Sequence, residues 1–170
     1  MESESAGRFG RAAPGERLGG FIYGTIVVMS VIIAGARAFP DEPGRIAAVV
    51  AVTMLVFWAA HVYAHALAHS VAGDEHLALA EVRRIARREA SILEAAAPPI
   101  AALLAGAIGL FEEDTAVWLA VAFGLIVLAT QGFLFARVER LSALATMVVV
   151  ALNLGLGVVL IGLKLFVSHH

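Results

Sequence analysis

Residues Ile46–Ser70 read IAAVVAVTMLVFWAAHVYAHALAHS, a run with no Asp, Glu, Lys or Arg. About 20 mostly apolar residues are enough to cross a hydrocarbon core roughly 30 Å thick, so this run predicts a transmembrane helix. Working outward, four more apolar runs appear: about Leu18–Ala38, Ala95–Phe111, Thr115–Ala136 and Leu141–Val167. The third is shorter, with Glu94, Pro98 and Pro99 at its start; if it only dips into the bilayer, four spans remain. The expected fold is an all-α, polytopic membrane helix bundle with five transmembrane helices, forming one domain over residues 18–170 behind a flexible tail of residues 1–17.

Composition points the same way. Of the 170 residues, 61% are hydrophobic and 15% charged, against about 45–50% and about 25% in a typical soluble domain; the mean hydropathy is +0.89. A net charge of −2 gives no footing for a nucleic-acid partner. The complete lack of cysteine excludes disulfides, thiolate metal sites and a cysteine nucleophile. Nothing resembles a nucleotide cradle, a serine nucleophile with its base, or a carboxylate pair within a span, so no enzyme and no cofactor are expected. The first apolar run is long for a signal peptide and no clear cleavage site follows it.

Basic residues set the orientation. Arg8, Arg11, Arg17, Arg83, Arg84, Arg87, Arg88, Arg137 and Arg140 fall in the tail and alternate loops, leaving Arg37, Arg45 and Lys164 for the other side. The positive-inside rule then places the N-terminus in the cytoplasm and the C-terminus outside the cell membrane. Pro40, Asp41, Glu42 and Pro43 make a tight external turn, and Glu112–Asp114 an acidic external loop. The fourth and fifth spans, joined across Arg137–Arg140, should form an antiparallel hairpin. Between the second and third spans, Gly73 can end one helix and Asp74 cap the next. Residues 75–94 are amphipathic, with Val82, Ile85, Ala86 and Ile92 at helical spacing among Arg83, Arg84, Arg87 and Arg88. Such a helix either lies on anionic inner-leaflet lipids or runs on into the third span, bent at Pro98–Pro99; a solvated connector is the plain alternative.

His61, His65 and His69 recur every four residues, which lays them along one stripe of a helix at 3.6 residues per turn. Intramembrane ionisable groups are costly and mark functional sites by default. At about 1.5 Å per residue, His61 falls slightly to the cytoplasmic side of mid-membrane, and Tyr23, Thr25, Gln131 and Thr146 fall in the same half. Asn153 lies near the centre and Glu94 at the rim. Three readings stay open. The stripe conducts or gates protons or ions, since imidazole titrates near neutral pH; or it is structural, bonding across helices to Tyr23, Gln131 or Asn153; or His61 and His65 hold a metal or haem, which needs further ligands. Trp58, one turn above His61, is placed to stack on it, and Trp118 suits an outer interfacial belt. Gly20-x-x-x-Gly24, Ala102-x-x-x-Gly106 and the glycines Gly155, Gly157 and Gly162 read as packing motifs, and Lys164 as a snorkelling end.

Two stretches together resemble a known family: Arg17-Leu18-Gly19-Gly20-Phe21-Ile22-Tyr23-Gly24, and Phe57-Trp58-Ala59-Ala60-His61. They are similar to the bacterial relatives of the endolysosomal potassium channel over about the first 70 residues. In that family an Arg-Leu pair and a Phe-Ser-Asp motif open the first helix, and an aromatic-Trp-x-x-His element follows on the second. Phe21 matches, while Ile22 and Tyr23 stand where Ser and Asp are expected. The resemblance implies an apolar constriction near Val28 and Ile32. The chain is also similar to small membrane proteins of high-GC bacteria, a likeness that implies no function. The functional expectation is an ion- or proton-conducting homo-oligomer with its pore on a subunit axis, lined by His61, His65, Tyr23, Gln131, Asn153 and Glu94. The alternative is a membrane-embedded scaffold or accessory subunit whose polar layer only fixes helix packing.

Overall fold

A computed structural model describes residues 14–72 and 78–168. Among them the chain is helical, with no strand: α1 Pro14–Ala38, α2 Pro43–Ala72, α3 Leu79–Arg88, α4 Ser91–Glu94, α5 Ala97–Ala107, α6 Glu113–Val138 and α7 Ala143–Ser168. Three helices are long and apolar enough to cross a membrane, within α1, α2 and α6, and α7 is apolar over Ala143–Val159. Residues 1–13 of the expected tail, the Gly73–Asp74 boundary, and His76, His169 and His170 lie outside the described residues. So do the side chains of Arg17, Leu18 and Lys164, and the surroundings of Gly162. The tail expected through residue 17 is already helical from Pro14, since proline lacks only an N–H that the first turn leaves unbonded.

Local chemistry sets the boundaries. Asp41 takes a left-handed φ of 65° in the α1–α2 turn, and Glu42 O accepts the N–H groups of Arg45 at 3.0 Å and Ile46 at 3.1 Å to start α2. Ser142 Oγ accepts the Ala145 N–H at 3.3 Å and caps α7. Gly109 (φ 79°) and Arg140 (φ 52°) turn the chain out of α5 and α6, with Leu110 N–H bonding back to Ala105 O and Leu141 N–H to Ala136 O. Arg140 holds a conformation that glycine adopts more cheaply.

The segment from residue 75 to 111 departs from expectation. The single amphipathic helix expected over 75–94 is interrupted at Glu89–Ala90, where Ile92 N–H bonds Glu89 O and Leu93 N–H bonds Ala90 O in tighter turns. The axis then bends by 51° before α5, at Ala95–Ala96 rather than at the prolines themselves. Pro98 and Pro99 have no N–H to offer the carbonyls of Glu94 and Ala95, so the helix breaks just ahead of them. The third apolar helix has 11 residues, about 16 Å at 1.5 Å per residue.

Packing fixes where this short helix leads. A Cβ on Gly20 would lie 3.0 Å from Ser91 Oγ, and one on Gly24 3.0 Å from Ile92 O. So α4 sits against the first half of α1. At the other end, a Cβ on Gly44 would lie 3.2 Å from Ala107 Cβ, and one on Gly106 2.3 Å from Ala116 Cβ and 3.6 Å from Pro43. The chain therefore runs from the level of Gly20 to the level of the α1–α2 turn, where Phe39–Pro43 line a pocket together with Glu113, Asp114, Val117 and Trp118. α6 returns and α7 pairs with it as an antiparallel hairpin: Gly132 faces Val150 and Asn153, and Gly157 faces Leu125. Both small-residue motifs, Gly20/Gly24 and Ala102/Gly106, act as close-packing faces.

α1 is the centre, touching α2, α4, α6 and α7, while α5 lies between α2 and α6 and α3 rests on α2. The core joins Val28, Met29 and Ile32 with Val50, Met54, Ile92, Leu103 and Leu128, all buried. Outside, Leu55, Val56, Ile126, Leu144, Met147 and Leu152 are exposed, an apolar exterior on several helices that suits lipid rather than water.

Candidate functional site

The histidine stripe lies on the face of α2 shared with α1 and α3. Tyr23 of α1 and Phe57 of α2 meet with ring centroids 5.2 Å apart, and both reach His61, at 6.0 Å and 4.6 Å. His65 follows 6.4 Å further along. His61 Nδ1 lies 3.1 Å from Phe57 O, and His65 Nδ1 3.0 Å from His61 O. A carbonyl only accepts, so each Nδ1 carries the hydrogen and donates it one turn back, leaving Nε2 as the basic nitrogen.

The far end of the stripe meets carboxylates on α3. His65 Nδ1 stands 3.8 Å from Glu89 Oε1, and His69 Nε2 3.9 Å from Glu81 Oε1. The two pairs differ. Glu81 is also bonded by the Arg84 guanidinium, which holds its carboxyl below the usual carboxylate range. Glu89 has a side chain only 12% exposed, against 52% for His65. α3 is pinned beside these pairs by Trp58, whose indole N–H donates to Ala86 O at 3.0 Å, and by Ile85, buried on the same side. Trp58 thus reaches out to α3 instead of stacking on His61; Phe57 and Tyr23 supply the rings beside that imidazole.

The polar layer expected at one height sorts by its contacts into separate groups. Tyr23 joins the histidines. Thr25 is buried and turns back to Phe21 O at 2.8 Å, and Thr146 turns back to Ser142 O at 3.0 Å. Asn153 belongs to the α6–α7 seam: its amide donates to Leu128 O at 3.4 Å, in space left by Gly132. Gln131, also on α6, keeps a buried Oε1 with no hydrogen-bond partner. Glu94 is exposed at the end of α4. The expected cross-helix bonds from His61 to Tyr23, Gln131 or Asn153 are replaced by its bond to Phe57 O. Val28 and Ile32 are fully buried in the core of the chain. No group of three or more His, Asp or Glu among the described residues is arranged to hold a metal ion, so His61 and His65 gain no further ligand there.

Glu81 and Glu89 were not anticipated as partners of the stripe. Their signal is arithmetic: a chain folding back after residue 72 brings residues 81 and 89 beside 69 and 65. No family model matches the chain, and comparison with curated proteins and with solved structures gives no match.

Proposed function

We propose that the chain is an integral membrane protein of five passes that moves protons, or small cations, as a homo-oligomer. The observation that carries this reading is the series Tyr23, His61, His65, with Glu89 beside His65 and, further along the same stripe, Glu81 beside His69. His61 and His65 each hold one hydrogen on a backbone carbonyl and keep Nε2 as a second proton site. The 6.4 Å step between His61 and His65 leaves room for a bridging water. The stripe is half exposed on α2, the least buried of the three long helices. A path there is completed by a second copy of the chain, and α2, not α1, lines the axis.

The course of α4 and α5 from the Gly20 level to the Gly44 level supports a third crossing, which brings the passes to five. Arg83, Arg84, Arg87, Arg88, Arg137 and Arg140 then share one end of the bundle. Asp41, Glu42, Glu112, Glu113 and Asp114 share the other. That asymmetry supports a cytoplasmic arginine end and a C-terminus outside the cell membrane, with α3 presenting Arg83 and Arg87 to anionic lipid headgroups.

Purified protein in liposomes tests the reading. A pH gradient should drive proton uptake that His61→Ala/His65→Ala reduces at least tenfold, with potassium flux measured in parallel. No flux of either ion would overturn it. The second reading, a scaffold or accessory subunit, is favoured by the packing of Tyr23, Phe57 and His61 against one another. It gains if His61→Ala only lowers stability.

A further inference from the structure

We infer that His65 and Glu89 together form a proton-binding site whose occupancy fastens α3 to α2. The argument needs no conduction, only the geometry of the α2–α3 seam. Glu89 is nearly covered, and the titratable group facing it is the ring of His65 at 3.8 Å. A carboxylate removed from water calls for a positive partner. A neutral imidazole supplies none, whereas an imidazolium at this distance does. Imidazole is the side chain that gains and loses its charge most readily, so the tie depends on the protonation of the ring.

The surrounding groups make this pair the sensitive one. On α2, His61 lies next along the stripe and its bond to Phe57 O directs it to its own helix. On α1, Tyr23 faces His61. On α3, Glu81 faces His69 at 3.9 Å but already holds Arg84, so its charge is met at any pH; Arg83, Arg87 and Arg88 complete the helix, and Glu94 follows on α4. One attachment of α3 is indifferent to pH, the Trp58 indole bonded to Ala86 O. The seam therefore has a permanent pin and a proton-dependent tie. The sign follows: the tie exists while His65 is protonated and Glu89 ionised. It is lost when the ring gives up its proton, and lost again if Glu89 takes one up.

The chain has no cysteine, which allows a direct test. Spin labels at Ala59→Cys on α2 and Ala80→Cys on α3, both exposed positions, report the gap in protein reconstituted in nanodiscs. The expected result is a narrow distance distribution at pH 6 that becomes at least twofold broader at pH 8.5. Glu89→Gln, close in shape, should leave it broad at both pH values. His65→Gln should do the same, and Glu81→Gln should keep the pH response. The inference is overturned if the distribution does not change with pH, or if Glu89→Gln or His65→Gln responds as the native chain does. Proton flux is read separately, so failure of the tie and failure of conduction are distinguishable.

Discussion

Where α1 meets α6 and α7, the helices close on one another by omitting side chains. A Cβ on Gly124 would fall 2.6 Å from Met29 Cγ, and one on Gly157 2.5 Å from Leu125, so the flexible thioether fills a slot that two glycines leave open. Where α2 meets α3, the contact is made of rings, an indole hydrogen bond and imidazole–carboxylate pairs, much of it exposed. The first seam gains from dispersion and shape, which pH does not touch. The second gains from charge and hydrogen bonds, which it does. One bundle thus carries a fixed half and an adjustable half, and α2 belongs to both through Val50 and Met54 on one side and the histidines on the other.

The comparison breaks most sharply at Gly124. Gly124→Leu should destabilise the bundle by about 3 kcal/mol, at the upper end of overpacking costs, read as a lowered unfolding midpoint in detergent. Met29→Ala should restore part of the loss in the double variant, because the clash is with that side chain. Trp58→Phe removes one hydrogen bond from the other seam and should cost about 1 kcal/mol. Its signature is local: faster amide exchange in α3, with α1 and α6 unaffected. If exchange rises throughout, the two seams are not separable. The smallest effect is expected at the α6–α7 turn, where Arg140→Gly relieves a left-handed residue and should raise stability by up to about 1 kcal/mol.

Much of the fixed half was legible in the sequence because it rests on periodicity and residue size. The first, second and fourth apolar runs became α1, α2 and α6, each longer than expected by a few residues, and Gly20, Gly24 and Gly106 pack as their spacing implied. The adjustable half was legible only in part. Three histidines at four-residue intervals announce a shared face, but nothing local says what that face meets. Its partners come from α3, whose direction no local pattern fixes, and charges on such a helix read as solvated until that direction is known. Trp58 misled for a similar reason, since ring proximity along one helix says nothing of a carbonyl on another. Val28 and Ile32, given a role by position alone, lie on the central helix α1 and turn inward to the core. Depth alone also grouped Asn153 with the histidines, although equal height does not bring opposite sides of a bundle together.

The brevity of α5 bears on how the molecule is made. Eleven residues beginning beside two prolines offer the translocation machinery a weak candidate for partitioning on their own. The hairpin of α1 and α2 precedes them from the ribosome and already presents Gly20, Gly24 and Gly44 as a ready berth. The expected consequence is an order of assembly, with the first two helices forming the surface on which the next segment packs, so that a larger residue at any of those three glycines should lower the yield of assembled protein.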